Sequence, residues 1–282
     1  MKYVIVLTLF ATLVFATNDG CIETGGSVHP NVSSTYAVSV TLLNDWPQTE
    51  QVLGLDIFEV GSYLYVLGID HYNNIIQVYS GTTGVPVGSM NLSARNEFCF
   101  GVAWNNNSLA STYYTNDWLN TVLYYTESFG ASWTVLPNPA GNTARGMDFD
   151  GTDYWCTNGS GGGLWRFQPG VSQQNIAIPE VPGTPSGLTV FPFGDNLGVA
   201  VTCYLIPNIY FYQWDGSTMS YLGWFPCPVT NCTSYGLTYA DTNGHMYWSY
   251  KNSGIYHLTE LGFSIFPASL EHSSWGAIKS SF

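Results

Sequence analysis

Five times along this 282-residue chain a glycine opens the same short apolar phrase, at intervals of 47, 45, 41 and 49 residues. The phrases are Gly54-Leu55-Asp56-Ile57-Phe58, Gly101-Val102-Ala103-Trp104, Gly146-Met147-Asp148-Phe149-Asp150, Gly187-Leu188-Thr189-Val190 and Gly236-Leu237-Thr238-Tyr239. Recurrence at this length marks an array of supersecondary units, each too small to bury its own apolar face. The chain must therefore fold as like units packed side by side.

The third repeat shows the unit. Gly146–Phe149 is short and apolar, and Asp150-Gly151-Thr152-Asp153 reads as a tight turn. Tyr154–Thr157 follows as a second strand, then a glycine-rich loop over Asn158–Gly163 and an alternating third strand over Leu164–Phe167. Gln168-Pro169-Gly170 turns the chain before a fourth strand at Asn175–Pro179. Short aromatic and β-branched runs punctuated by Gly, Pro, Asn and Asp are hairpin signals. Second strands recur at Tyr63–Ile69, Leu109–Tyr114, Leu197–Tyr204 and Met246–Tyr250, and third strands at Ile75–Tyr79, Val122–Thr126, Ile209–Trp214 and Ile255–Leu258. Fourth strands are expected at Pro86–Leu92, Trp133–Leu136, Tyr221–Phe225 and Phe263–Phe266.

No segment carries a sustained helical period with caps. Four antiparallel strands at this period predict an all-β chain folded as a β-propeller, whose radial repetition protects the sheet edges. A β-sandwich would not repeat a Gly-apolar-x-aromatic phrase five times. Five glycines predict five blades, and Gly276-Ala277-Ile278 leaves a sixth open. Tyr36–Leu43 stands before the first repeat as each fourth strand stands before the next glycine, so it is expected to complete the last blade and close the ring.

Met1-Lys2-Tyr3, the apolar run Val4–Phe15 and the small residues at its end read as a secretory signal peptide over 1–16. The run is shorter than the ~20 residues of a spanning helix. Asn18, three before Cys21, is not the apolar residue a lipidated cysteine requires. Residues 17–282 are read as one propeller domain in an extracellular or periplasmic protein, with no linker or charge block dividing them. Six Lys and Arg against nineteen Asp and Glu give a formal charge of −13. That balance excludes nucleic acid and disfavours an anionic membrane surface, and it leaves neutral and cationic ligands. No membrane insertion is expected.

An even set of six cysteines in an exported chain predicts disulfides, in any of fifteen pairings. Cys227 with Cys232 would close a local loop, Cys156 and Cys203 fall at similar places in neighbouring repeats, and Cys21 with Cys99 would pin the N-terminus. Buried thiols acting as small hydrophobes are the other reading. Asn31, Asn91, Asn106, Asn158 and Asn231 head glycosylation sequons.

The phrase Gly146–Trp155 with Leu164–Phe167 resembles the repeat of exported bacterial propellers of the NHL-like and streptogramin-lyase-like kind. The resemblance covers nearly the whole of 17–282 and concerns architecture. It implies a fold that carries lyases, hydrolases, cyclotransferases and plain binding modules. No histidine-and-carboxylate set of the lyases maps onto this chain.

On such a propeller the second-to-third-strand and fourth-to-first-strand loops share one face at the channel mouth. Asp70, His71, Tyr72, Asp117, Trp118 and Tyr204 fall on those loops, and Arg145 and Tyr235 stand just before opening glycines. Exposed Tyr and Trp beside Asp suit a sugar, offering a flat platform and hydroxyl partners, although the same residues also serve as soluble turn formers. Asp56 and Asp148 occupy one repeat position and are expected to point into the channel, where they could hold an ion such as Ca2+. Asp150-Gly151 is more simply a turn. His29, His71, His245, His257 and His272 lack the spacing of a zinc motif, and no nucleophile elbow or phosphate loop appears. The leading expectation is a secreted, non-catalytic propeller that binds an extracellular glycan or protein through its loop-rich face. The alternative is a metal-assisted hydrolase or lyase using Asp56 and Asp148 with His71 or Arg145. A structural matrix protein is a third reading.

Overall fold

The computed structural model describes residues 36–105, 112–117, 121–126, 132–141, 143–159 and 163–267. The expected signal peptide, Cys21, His29, Trp118, His272 and the strand opening at Gly276 lie outside these residues. Within them the chain is all β, and its strands form five four-stranded antiparallel sheets. The first sheet is β2 (Leu55–Val60), β3 (Tyr63–Asp70), β4 (Ile75–Ser80) and β5 (Pro86–Asn91). The second is β6 (Cys99–Asn105), β7 (Thr112–Asp117), β8 (Val122–Thr126) and β9 (Thr134–Pro137). The third is β10 (Ala144–Phe149), β11 (Tyr154–Asn158), β12 (Gly163–Gln168) and β13 (Ser172–Ala177). The fourth is β14 (Pro185–Phe193), β15 (Asn196–Cys203), β16 (Asn208–Trp214) and β17 (Met219–Pro226). The last holds β18 (Thr233–Ala240), β19 (His245–Asn252) and β20 (Ile255–Pro267), with β1 (Tyr36–Gln48) paired to β20 along its length.

The blades are arranged as a propeller. Each begins with its innermost strand, and these meet in sequence: β2 with β6, β6 with β10, β10 with β14, β14 with β18, and β18 with β2. In the last four sheets the ladder slips at the opening glycine, between Cys99 and Val102, Ala144 and Met147, Pro185 and Leu188, and Ser234 and Leu237. These repeated bulges turn a residue out of the ladder and bring the glycine against the next blade. A Cβ at Gly54 would lie 2.7 Å from the Cα of Gly101, at Gly146 2.7 Å from the Leu188 nitrogen, at Gly187 2.6 Å from the Leu237 nitrogen, and at Gly236 2.6 Å from the Leu55 nitrogen. Only glycine permits that approach.

Second-strand hydroxyls satisfy the backbone groups freed by the bulges. Thr202 Oγ1 accepts the Gly187 N–H at 2.9 Å, and Ser249 Oγ accepts that of Gly236 at 2.8 Å. The Ser249 hydroxyl donates to the Leu53 carbonyl of the first blade, and Thr157 donates to the Ser186 carbonyl of the fourth. Each such residue ties its own bulge or its neighbour's, so the polar cost of bulging is met between blades. Aromatic rings fill the remaining wedges. Trp155 meets Trp214 edge-on at 5.9 Å between the third and fourth sheets, and Phe191 meets Tyr239 at 5.6 Å between the fourth and fifth.

Two expectations are corrected. Phe263–Phe266 is not a separate fourth strand. Thr259-Glu260-Leu261-Gly262 stays extended, and β20 runs unbroken for 13 residues because β1 lies along it as the outer partner. The Asp45 carboxylate of β1 accepts from Thr259 Oγ1 at 3.0 Å and from Tyr250 Oη at 3.1 Å, while Glu260 accepts from Asn44 Nδ2 at 2.6 Å. Disulfides are likewise absent among the described residues, where Cys99, Cys156, Cys203, Cys227 and Cys232 are buried. Cys156 and Cys203 pack in separate apolar clusters, and Cys227 and Cys232 share a third. They serve as small core residues.

The glycine contacts yield a direct test. Gly187→Ala is expected to lower stability by about 1–3 kcal/mol in urea unfolding, the usual cost of overpacking. Gly88→Ala, where a Cβ would meet nothing within 4 Å, is expected to be close to neutral.

Candidate functional site

Because β3 runs antiparallel to β2, with Gly68 opposite Leu55, the inner-strand starts and the second-to-third-strand turns share one end of the channel. Of the residues expected to bind a ligand, Asp70, Arg145, Tyr204 and Tyr235 are at this end and are buried. The Asp70 carboxylate closes its own turn, accepting the Asn73 N–H at 3.1 Å and Asn73 Nδ2 at 2.6 Å. Tyr204 and Tyr235 have no exposed surface, and Arg145 is only 2% exposed. The structure brings these three together with Phe100. The Arg145 guanidinium lies 4.6 Å from the centre of the Tyr204 ring and 5.5 Å from that of Phe100, and Tyr204 and Tyr235 meet edge-on at 5.6 Å. This cation–π cluster fills the end of the channel from within. His71 and Tyr72 sit beside each other with ring centres 4.4 Å apart, and Tyr72 is exposed. Asp117 ends β7 opposite Cys99.

The opposite end, where first and second strands join, is open. A cavity of about 290 Å³ lies there, floored by Asp56 and Asp148 and walled by Trp104, Phe149, Phe191 and Tyr239, with Glu59 and Asp241 also lining it. The structure thus brings Asp56 and Asp148 to one cavity and leaves Arg145 at the other end of β10. Both aspartates stand two residues after an opening glycine, and both reach across to the next blade. Asp148 accepts from its neighbour Phe149 N–H at 2.7 Å, from Val190 N–H at 2.7 Å and from Thr189 Oγ1 at 2.8 Å. Asp56 accepts from Ile57 N–H at 2.7 Å, from Thr238 Oγ1 at 3.5 Å and from Trp104 N–H by a short bond.

Burial dominates the electrostatics. Desolvation pushes the Asp148 carboxyl up to about 7, against the opposing pull of its Val190, Thr189 and Phe149 donors. Desolvation also raises Asp56 well above the usual carboxylate range, and the charge of Asp148 adds to it. The charge on one therefore disfavours the charge on the other, and their titrations are linked. At the rim Asp241 is raised by burial and by the charge of Glu59. Asp150 differs: it caps its turn through the Thr152 and Asp153 N–H groups and pairs with Arg166. The Asp-Gly turn read from sequence is present, with Gly151 at φ +91°.

Asp56 and Asp148 supply hard oxygen donors, but those oxygens already accept N–H and O–H groups. Among the described residues no three His, Cys, Asp or Glu side chains converge to hold an ion. The aromatic wall and the rim carboxylates were not singled out in the sequence. Their signal was available, since Trp104, Phe149 and Tyr239 follow the opening glycines by three residues and Glu59 and Asp241 by five.

No protein-family model matches the chain, and no curated protein matches it in sequence. Solved structures do match in fold. Glutaminyl cyclase from Myxococcus xanthus aligns with a TM-score of 0.57 at 14% identity, over 80% of this chain and 97% of that one. A putative gluconolactonase aligns with a TM-score of 0.52 at 13% identity, over 81% and 94%. A chain of a nidogen/laminin complex aligns with a TM-score of 0.51 at 16% identity, over 76% and 84%. These likenesses define the class as a β-propeller, in keeping with the architecture the repeat resembles.

Stability should report the carboxylate pair. Folding raises the pKa of both groups above the ~3.9 of an unfolded aspartate, so the folded state binds protons more tightly. Their contribution is complete below about pH 4, and that of Asp148 is lost as pH rises through about 7. Asp148→Asn is expected to flatten the fall in melting temperature between pH 4 and 8 by several degrees, measured by calorimetry at constant ionic strength.

Proposed function

We propose that the protein is a secreted five-bladed propeller, its ring closed by β1, that binds an extracellular ligand in the acidic channel cavity. The signal-peptide pattern at 1–16 supports export. The five sheets and the pairing of β1 with β20 support the blade number and the closure. One observation carries the binding reading. Two buried carboxylates meet at the floor of a concave, aromatic-walled cavity, the convergence that marks a ligand site. An anion would be repelled there. Hydroxyls and protonated amines would be held, the first as donors to the carboxylates and the second also by charge. The site thus lies at the end opposite the loops that the sequence favoured.

A catalytic reading has its own support. A carboxyl near pKa 7 beside a second one offers an acid and a base in one cavity. Arg145 and His71 take no part in it, and acid–base chemistry here would rest on Asp56 and Asp148. Among the similar folds, two have enzyme names and one comes from a binding complex, so the fold supports either.

A thermal-shift panel of sugars and small amines tests the proposal, since a ligand of the folded state raises the melting temperature. A rise of several degrees is expected for the native chain, lost in Asp56→Asn and Asp148→Asn and kept in Tyr72→Ala. A rise lost with Tyr72 and kept without Asp148 would move the site to the other face. Conversion of a bound compound, seen by mass spectrometry and abolished by Asp148→Asn, would replace the binding reading with the catalytic one.

A further inference from the structure

We infer that the ligand is an oligosaccharide bearing free amino groups, with one sugar in the channel cavity and the following sugars stacked along the first sheet. The inference rests on the cavity reading and extends it outward. A second hollow of about 480 Å³ lies on the first sheet, lined by Phe58, Val60, Tyr63, Tyr65, Val87 and Gly88 among others. Its walls face solvent: Tyr63 is 67% exposed, and Val60 and Val87 about half. A contiguous exposed patch of this kind marks a contact surface.

The hollow and the cavity are joined by rings. Trp104 in the cavity wall meets Phe58 edge-on at 4.7 Å, Phe58 lies 6.0 Å from Tyr65, and Tyr65 stacks with Tyr63 at 6.4 Å and 20°. Trp104, Phe58, Tyr65 and Tyr63 therefore form one aromatic track leading from the channel mouth onto the open sheet. Over the hollow, a Cβ added at Gly88 would meet nothing within 4 Å among the described residues, so their side chains leave that stretch uncovered.

The occupant follows from the chemistry at the two ends. Stacked tyrosines offer flat faces with polar tips, which suit the C–H face and hydroxyl edge of a sugar. The cavity end carries Asp56, Asp148, Glu59 and Asp241, and no Lys or Arg lines it. An ammonium there gains charge pairing and cation–π contact with the aromatic wall. A neutral glycan would leave the rim carboxylates of Glu59 and Asp241 without a counter-charge, and an aliphatic polyamine would leave the track without a stacking partner. An amino sugar chain satisfies both.

Calorimetric titration of the intact protein with glucosamine, its β-linked tetramer, the N-acetylated tetramer and a lysine-containing tetrapeptide tests this. The amino tetramer is expected to bind at least tenfold more tightly than the monomer, and N-acetylation to remove most of that gain. Tyr63→Ala, at an exposed position that leaves folding intact, is expected to weaken the tetramer at least fivefold and leave the monomer unchanged. Asp148→Asn is expected to weaken both. Equal binding of monomer and tetramer would overturn the track and leave the cavity reading standing. Tighter binding of the tetrapeptide than of the amino tetramer would overturn the sugar assignment. No binding of monomer or tetramer would overturn it as well, and the wider amine and sugar panel then decides the cavity reading by itself.

Discussion

Everything in this molecule depends on how closely the inner strands approach one another. At the opening glycines one blade meets the backbone of the next at distances that no side chain tolerates. The collar that results brings the neighbouring N–H and C=O groups within reach of hydroxyls and carboxylates from the adjacent blade. Close approach thus creates the polar contacts that hold it. Wider spacing would cost both at once, which is why a single methyl group matters here more than on the outer strands.

The same collar produces the site. Two residues beyond each glycine the chain faces its neighbours around the channel, and the five residues there are Asp56, Ala103, Asp148, Thr189 and Thr238. Threonine hydroxyls donate to the aspartates from adjacent blades, and Ala103 separates the two carboxylates in the sequence of blades. Structural stapling and a raised carboxyl pKa are consequences of one placement. The desolvation that raises the pKa is the cost of using buried carboxylates as staples. At the far end the residues turned out by the bulges, Phe100, Arg145 and Tyr235, converge instead into a packed plug.

The period, the strand order and the repeat glycines were legible because a four-stranded unit imposes them locally. Val122–Thr126 matches its expected strand residue for residue, and most others shift by one or two positions at their ends. The last blade was half-read. Tyr36–Leu43 reads as an outer strand, but Ile255–Leu258 and Phe263–Phe266 read as two strands where the long pairing with β1 keeps β20 continuous. The orientation of the site was not legible. Tyr and Asp in loops look alike whether they face solvent or turn inward, and only packing shows that Tyr204 and Tyr235 are buried. Asp56 and Asp148 were found from their repeat position. Their shared cavity needed the ring to be seen whole.

The pairing of β1 with β20 has a consequence for how the chain is made. Tyr36 lies opposite Pro267, so the final sheet joins segments more than two hundred residues apart. Closing so long a loop carries an entropic cost before any contact repays it, and topologies of this kind fold slowly. A chain emerging from synthesis holds an unpartnered strand until Ile255–Pro267 has been made. During that interval the thirteen residues of β1 are an open edge, able to pair with the wrong chain. Asn44 and Asp45 near the end of that strand, bonded to Glu260 and Thr259, fix its register as a specific partner for β20.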